Sequence, residues 1–146
     1  MANKAKTAKP ETTKPVKQAL GDKLIAAVLV RGRRVGVRHD VQRTLDNLKM
    51  QRNHICVVYN DSASLRGMLN KCKDLVTYGP ITKEVLAALE EKRGSLKDRD
   101  GNKLYVFRMN PPKGGWGRKG IKVSYQNGGC LGYRAKGMAA QLEKMM

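Results

Sequence analysis

Aromatic residues are scarce in this 146-residue chain: one Trp, one Phe and five Tyr, 5% in all. Its core must therefore be built from Leu, Val, Ile, Met and Ala. Cysteine is nearly absent too. Cys56, Cys72 and Cys130 are odd in number and widely spaced, with no C-x-x-C. That fits free thiols in a reducing compartment better than a disulfide framework, so a cytoplasmic location is expected. The Asn60-Asp61-Ser62 glycosylation triplet is then a chance match. Long apolar runs are missing. The longest, Leu24 to Val30, is strand-sized, well short of the roughly 18–20 residues that cross a bilayer. No apolar segment follows the N-terminal lysines, as a secretory signal requires.

Acid is also in short supply. Thirty Lys and Arg face 12 Asp and Glu, a net charge of +18 and a pI near 10.2. Charge of that size opposes compaction by self-repulsion, so a polyanionic partner is expected. The excess is uneven: +3 over residues 1–22, +7 over 23–81, +1 over 82–104 and +7 over 105–146. Two basic stretches thus flank a near-neutral one. Hydrolysis of nucleic acid by metal-bound carboxylates needs acid among the basic residues, and residues 105–146 hold only Glu143. His39 lies in an Arg-rich loop and His54 opens a strand, so neither announces a four-ligand metal site. Cys56 and Cys72 read as apolar-facing, leaving Cys130 as the one thiol expected to be exposed. No enzyme, metal or cofactor is expected, and the charge argues against a small-molecule-binding domain.

Residues 1–22, rich in Lys, Thr, Ala and Pro, read as a flexible basic tail, either touching the polyanion or merely solvated. Lys23 to Arg31 is a continuous apolar run of strand length, as in a central strand. An Arg- and Gly-rich loop follows to His39. Asp40 is the expected N-cap of a helix whose Val41, Thr44, Leu45 and Leu48 share one face. Ile55 to Tyr59 is a second strand. Asp61 or Ser62 caps a second helix with Leu65, Met68, Leu69 and Cys72 on its buried stripe. Gly67 sits inside that helix, where it costs about 1 kcal/mol relative to Ala, so it marks a close packing contact or a close approach to a ligand. Leu75 to Tyr78 is a third strand, stopped by Gly79-Pro80. Thr82 is expected to cap a helix over Val85, Leu86 and Leu89 that ends at Gly94. Leu104 to Phe107 is a fourth strand, and a weakly amphipathic helix bearing Met138, Leu142 and Met145 closes the chain. The organisation expected is a tail (1–22), a β-α-β-α-β core (23–81) and an extension (82–146).

Met109 to Arg134 has the texture of a nucleic-acid contact. It holds seven Gly, five Lys or Arg, no acid and the chain's only Trp. Glycine lets a backbone approach another surface closely, and aromatic rings offer stacking faces to bases. Gly115-x-Gly117-x-x-Gly120 matches a dinucleotide-binding pattern, which requires a strand before it and a helix opening on its last Gly. Here Pro111-Pro112 precedes it and Ile121 to Tyr125 alternates like a strand, so that reading fails. Trp116 is left with two roles: stacking on an unpaired base or plugging the extension onto the core. Tyr133 reads as a packing residue.

Three blocks, Arg31–Val58, Ser64–Gly79 and Asn110–Arg134, together resemble the L-thirty family of large-subunit ribosomal proteins, including its eukaryotic L-seven relatives. The first two resemble the short bacterial form; the third resembles the extension of archaeal and eukaryotic members. The brief N-terminal tail points to the archaeal type. The resemblance implies an α+β fold, ferredoxin-like in character: a three-stranded sheet with the first strand central, two helices on one face, and a C-terminal extension. It also implies a structural role in the large ribosomal subunit, with rRNA and neighbouring ribosomal proteins as partners and no membrane, cofactor or small-molecule substrate. The other reading is an accessory factor in RNA processing or modification. The family's rRNA-facing loop corresponds to Arg31–His39, and Arg66-Gly67, matching the start of its second helix, is expected to complete that RNA contact. Arg31, Arg33, Arg34 and Arg38 suit bidentate phosphate contact, with His39 beside them. The second set of candidate RNA contacts is Lys113, Trp116, Arg118, Lys119, Lys122 and Arg134.

Overall fold

The computed structural model describes residues 23–32, 36–94, 96–97 and 103–146. The expected tail, Arg33 and Arg34 lie outside the described residues. Strand β1 (Leu24–Leu29) is buried at every position, because both of its faces are covered. It is central, as expected. Antiparallel β2 (Ile55–Asn60) and antiparallel β3 (Val76–Ile81) flank it, with Ala26 opposite Val58 on one side and Gly79 on the other. Helices α1 (His39–Asn47) and α2 (Ala63–Lys71) cover one face. Ile25, Ala27 and Leu29 pack there against Leu45, Leu48, Leu65, Leu69 and Cys72.

The extension widens this three-stranded core and covers its other face. After α3 (Lys83–Arg93) come β4 (Leu96–Lys97) and β5 (Lys103–Leu104), paired with each other. Strand β6 (Val106–Arg108) then adds antiparallel to β2, and β7 (Gly132–Tyr133) adds parallel to β3. The five-stranded order is β6-β2-β1-β3-β7. Leu24, Ala26 and Val28, the alternate residues of β1, meet Leu89 of α3, Phe107 and the terminal helix α4 (Gly137–Met145). The expected stripe of α4 is buried more deeply than its weak amphipathicity suggested, with Met138, Leu142 and Met145 each at 0% exposure. Arg93 clamps the end of this layer by donating to the carbonyls of Met145 and Met146 at 3.2 and 2.6 Å.

Several local expectations are corrected. Helix α1 starts one residue before Asp40, with Arg38 at the cap position and no side-chain cap bond. Asp40 instead lies in the first turn, where its charge still faces the positive helix end. Of the two caps expected for α2, Ser62 takes the place, accepting the Leu65 N–H at 3.1 Å. Thr82 stands at the start of α3 but makes no side-chain cap bond. Strand β3 runs through Gly79-Pro80 instead of stopping there. Its register with β7 covers only Thr77 and Tyr78, so Pro80 lies on an edge where a missing N–H is tolerated. Ile121 to Tyr125 is no strand. The chain turns back through Gly128, at φ +86°, and the N–H groups of Cys130 and Leu131 both donate to the Val123 carbonyl.

Candidate nucleic-acid interface

Parallel pairing of β7 with β3 brings the Gly-rich segment alongside the end of the core. The resulting cleft, about 710 Å³, takes Arg31 from the loop after β1 and Lys73 with Asp74 from the α2–β3 turn. The extension supplies Lys122, Ser124 and Gln126. Three cations therefore face one acid in a polar groove. The Arg31 backbone is fixed there by its N–H bond to the Leu75 carbonyl at 3.1 Å. Tyr78 and Tyr133 line the cleft and also line a second, more apolar cavity carrying Lys23, Arg66 and Gly67. Their rings lie 5.7 Å apart, tilted by 53°. The two basic regions separated in sequence thus meet along one sheet edge.

The structure does not gather every expected contact. Arg38 and His39 are exposed at the start of α1 and line neither cavity; Arg38 pairs with Asp40 at 3.4 Å. Lys113, Arg118 and Lys119 are exposed on the Gly-rich loop, also outside both cavities. Arg66 is exposed but pinned: its Nε donates to Asp61 at 2.7 Å and a second nitrogen reaches the other carboxylate oxygen. That bond holds the Asp61 carboxyl below the usual carboxylate range. Gly67 is open, since a Cβ built on it meets nothing within 4 Å. Lys73 and Tyr78 escaped the sequence reading, because nothing local separates them from solvated or core residues.

Two expectations about exposure are corrected, those for Cys130 and Tyr133. Cys130 is fully buried, not exposed. Burial also pushes the Cys56 thiol up to about 12 and the Cys72 thiol to about 11, which disfavours a thiolate nucleophile at either. Trp116 is half-buried and stacks on His54, with ring centroids 5.7 Å apart and 13° between planes. One face of its ring is therefore spent on docking the extension to the core. Tyr133, expected to pack, is instead 51% exposed.

Arg134, expected to touch RNA, is 5% exposed. It donates to Gln141 Oε1 at 2.9 Å and to the Trp116 carbonyl at 3.1 Å, and lies 4.8 Å from the Tyr125 ring centre. Desolvation lowers its affinity for the proton. Arg134 is a staple joining the Gly-rich loop to α4. Its replacement by Ala strands the buried Gln141 acceptor, at about 1–3 kcal/mol, and frees the part-buried Trp116 carbonyl. We expect a urea midpoint lowered accordingly and an unchanged salt dependence of RNA binding.

His54 gives a pH signature. Its Nδ1 is buried without a partner and burial lowers its proton affinity. The unfolded chain takes up the proton first, near the ordinary value of about 6.5, so it binds more protons below that pH. Stability is then complete above about pH 6.5 and declines as the pH falls from there towards the lowered folded value. Urea midpoints measured across that window should fall with acidity, and His54→Phe should remove this part of the slope.

The family model described as Ribosomal protein L30p/L7e matches residues 25–76, from β1 to the start of β3. A large ribosomal subunit protein uL30 from Methanopyrus kandleri is 37% identical over 145 aligned positions, covering 77% of this chain and 97% of the relative. The chain belongs to the L30p/L7e family. Another uL30, from Methanococcus vannielii, is 38% identical, covering 83% of this chain and 98% of the relative. A third, from Nanoarchaeum equitans, is 33% identical, covering 77% and 92%. These archaeal alignments cover nearly the whole of each relative, well beyond the span of the family model.

Proposed function

We propose that this chain is a structural protein of the large ribosomal subunit that binds rRNA through the cleft between its core and its extension. The observation that carries the reading is the convergence of Arg31, Lys73 and Lys122 on one polar groove. Guanidinium and ammonium groups gathered in a groove neutralise phosphates and displace their counterions. Residues 23–81 act in this reading as the core, and residues 82–146 as the extension that completes the cleft. The partners are the long rRNA and neighbouring large-subunit proteins, and the role is architectural, with no turnover. The family membership and the net charge of +18 both support it. Co-sedimentation tests it: the chain should travel with purified large subunits through a high-salt wash. Recovery only among free proteins would overturn the reading.

A further inference from the structure

The cavity on the other side of the tyrosine pair, about 730 Å³, falls within the size range of small-ligand sites. Three features of its wall point to one kind of occupant. Tyr133 presents a ring that is 51% exposed although it lies on a sheet strand. Gly67 stands in the middle of α2, where glycine weakens a helix, yet no neighbour within 4 Å occupies the place of its missing side chain. Packing inside the fold therefore gives no reason for it, which leaves the close approach of something from outside. Lys23 supplies positive charge to the wall, beside the ion pair that Arg66 makes with Asp61, and Asn70 supplies an amide that both donates and accepts.

We propose that this cavity receives one unstacked nucleobase of the rRNA, laid on Tyr133 and passing over Gly67. Its sugar-phosphate then faces Lys23, past the Arg66–Asp61 pair, and Asn70 meets a base edge. This inference rests on the RNA-binding reading above. Because Tyr78 and Tyr133 line both hollows, a strand whose phosphates lie in the cationic cleft crosses the tyrosine pair directly into the cavity. A base is favoured over a protein side chain because the cavity shares its wall with that cleft and the chain as a whole is strongly basic.

The test uses the full chain and purified large-subunit rRNA. Tyr133→Ala should bind about 5- to 150-fold more weakly, the range of a broken base–aromatic stack, and Tyr133→Phe should recover most of that loss. Gly67→Leu should weaken binding in the same sense by occupying the cavity, while its thermal midpoint holds or rises because Leu is the better helix former. It therefore carries the test if Tyr133→Ala fails to fold. The salt slope should be unchanged in all three variants, since each leaves the phosphate-facing cations in place. Ultraviolet cross-linking in the assembled subunit should place a nucleotide adduct on Tyr133 or Tyr78. Wild-type affinity in both Tyr133→Ala and Gly67→Leu, or a Tyr133 cross-link to a neighbouring protein, would overturn the inference. Loss of salt-dependent binding by the unaltered chain would instead sink the RNA reading itself.

Discussion

Gly79→Ala is expected to lower stability by about 2–4 kcal/mol, at the upper end of overpacking costs. Conformational freedom is not the reason, since Gly79 is not among the positive-φ glycines. It is steric. A Cβ there would lie 2.4 Å from the Arg134 carbonyl oxygen and 2.9 Å from the Met138 Cβ. Neither atom can swing aside. Arg134 is held by its own N–H bond to the Tyr78 carbonyl at 2.7 Å, and Met138 belongs to α4. Relief therefore requires α4 to lift off the sheet, which would expose Met138, Leu142 and Met145 together. A urea titration should show a lower midpoint, and the melting temperature should drop by roughly 5–12 °C for a chain of this size. Gly67→Ala makes the contrast. It meets open space and should be neutral or stabilising by up to about 1 kcal/mol. Equal losses at both positions would show that glycine content, not the close approach of α4, decides the effect.

The contrast between these two glycines marks what was legible in the sequence. The core was legible because its signals are local: an unbroken apolar strand at Leu24–Leu29, three-and-four spacing in α1 and α2, a β-branched second strand. Even the stripe of α4 could be read. The Gly-rich segment was not, because its shape rests on contacts that leave no local trace. Gly129 is an instance: its absent Cβ would stand 2.1 Å from the Val123 carbonyl oxygen, so the loop closes only with glycine there. Apolar alternation at Ile121, Val123 and Tyr125 imitated a strand while that closure decided otherwise. Trp116 offered two roles, and its docking partner is His54, far upstream. Arg134 could not be told from its exposed neighbours, because what buries it is Gln141 and the Trp116 carbonyl. The cleft itself depends on β7 lying parallel to β3, which no spacing in the chain announces.

That cleft makes the second large prediction. The triple variant Arg31→Gln, Lys73→Gln, Lys122→Gln is expected to flatten the log–log salt dependence of rRNA binding by about 2–3, at roughly 0.7–0.9 for each phosphate no longer neutralised. Each single change should remove about one third of that. Stability should respond in the opposite direction. Without RNA, three cations share a groove with one acid, Asp74, and like charges held together repel, so neutralising them should leave the free protein as stable or slightly more stable. Arg134→Ala should behave in the reverse manner, losing stability while keeping the slope, because its guanidinium is spent inside the fold. Filter binding across a salt series, paired with urea melts of the same variants, separates the two kinds of basic residue. An unchanged slope in the triple variant would mean that the three side chains are merely solvated, and the phosphate-binding groups would have to be sought among Lys23, Arg33, Arg34, Arg38, Lys113, Arg118 and Lys119 instead. A gain in stability together with a loss in binding is what a charge arrangement kept for a polyanion, against the interest of the free fold, should produce.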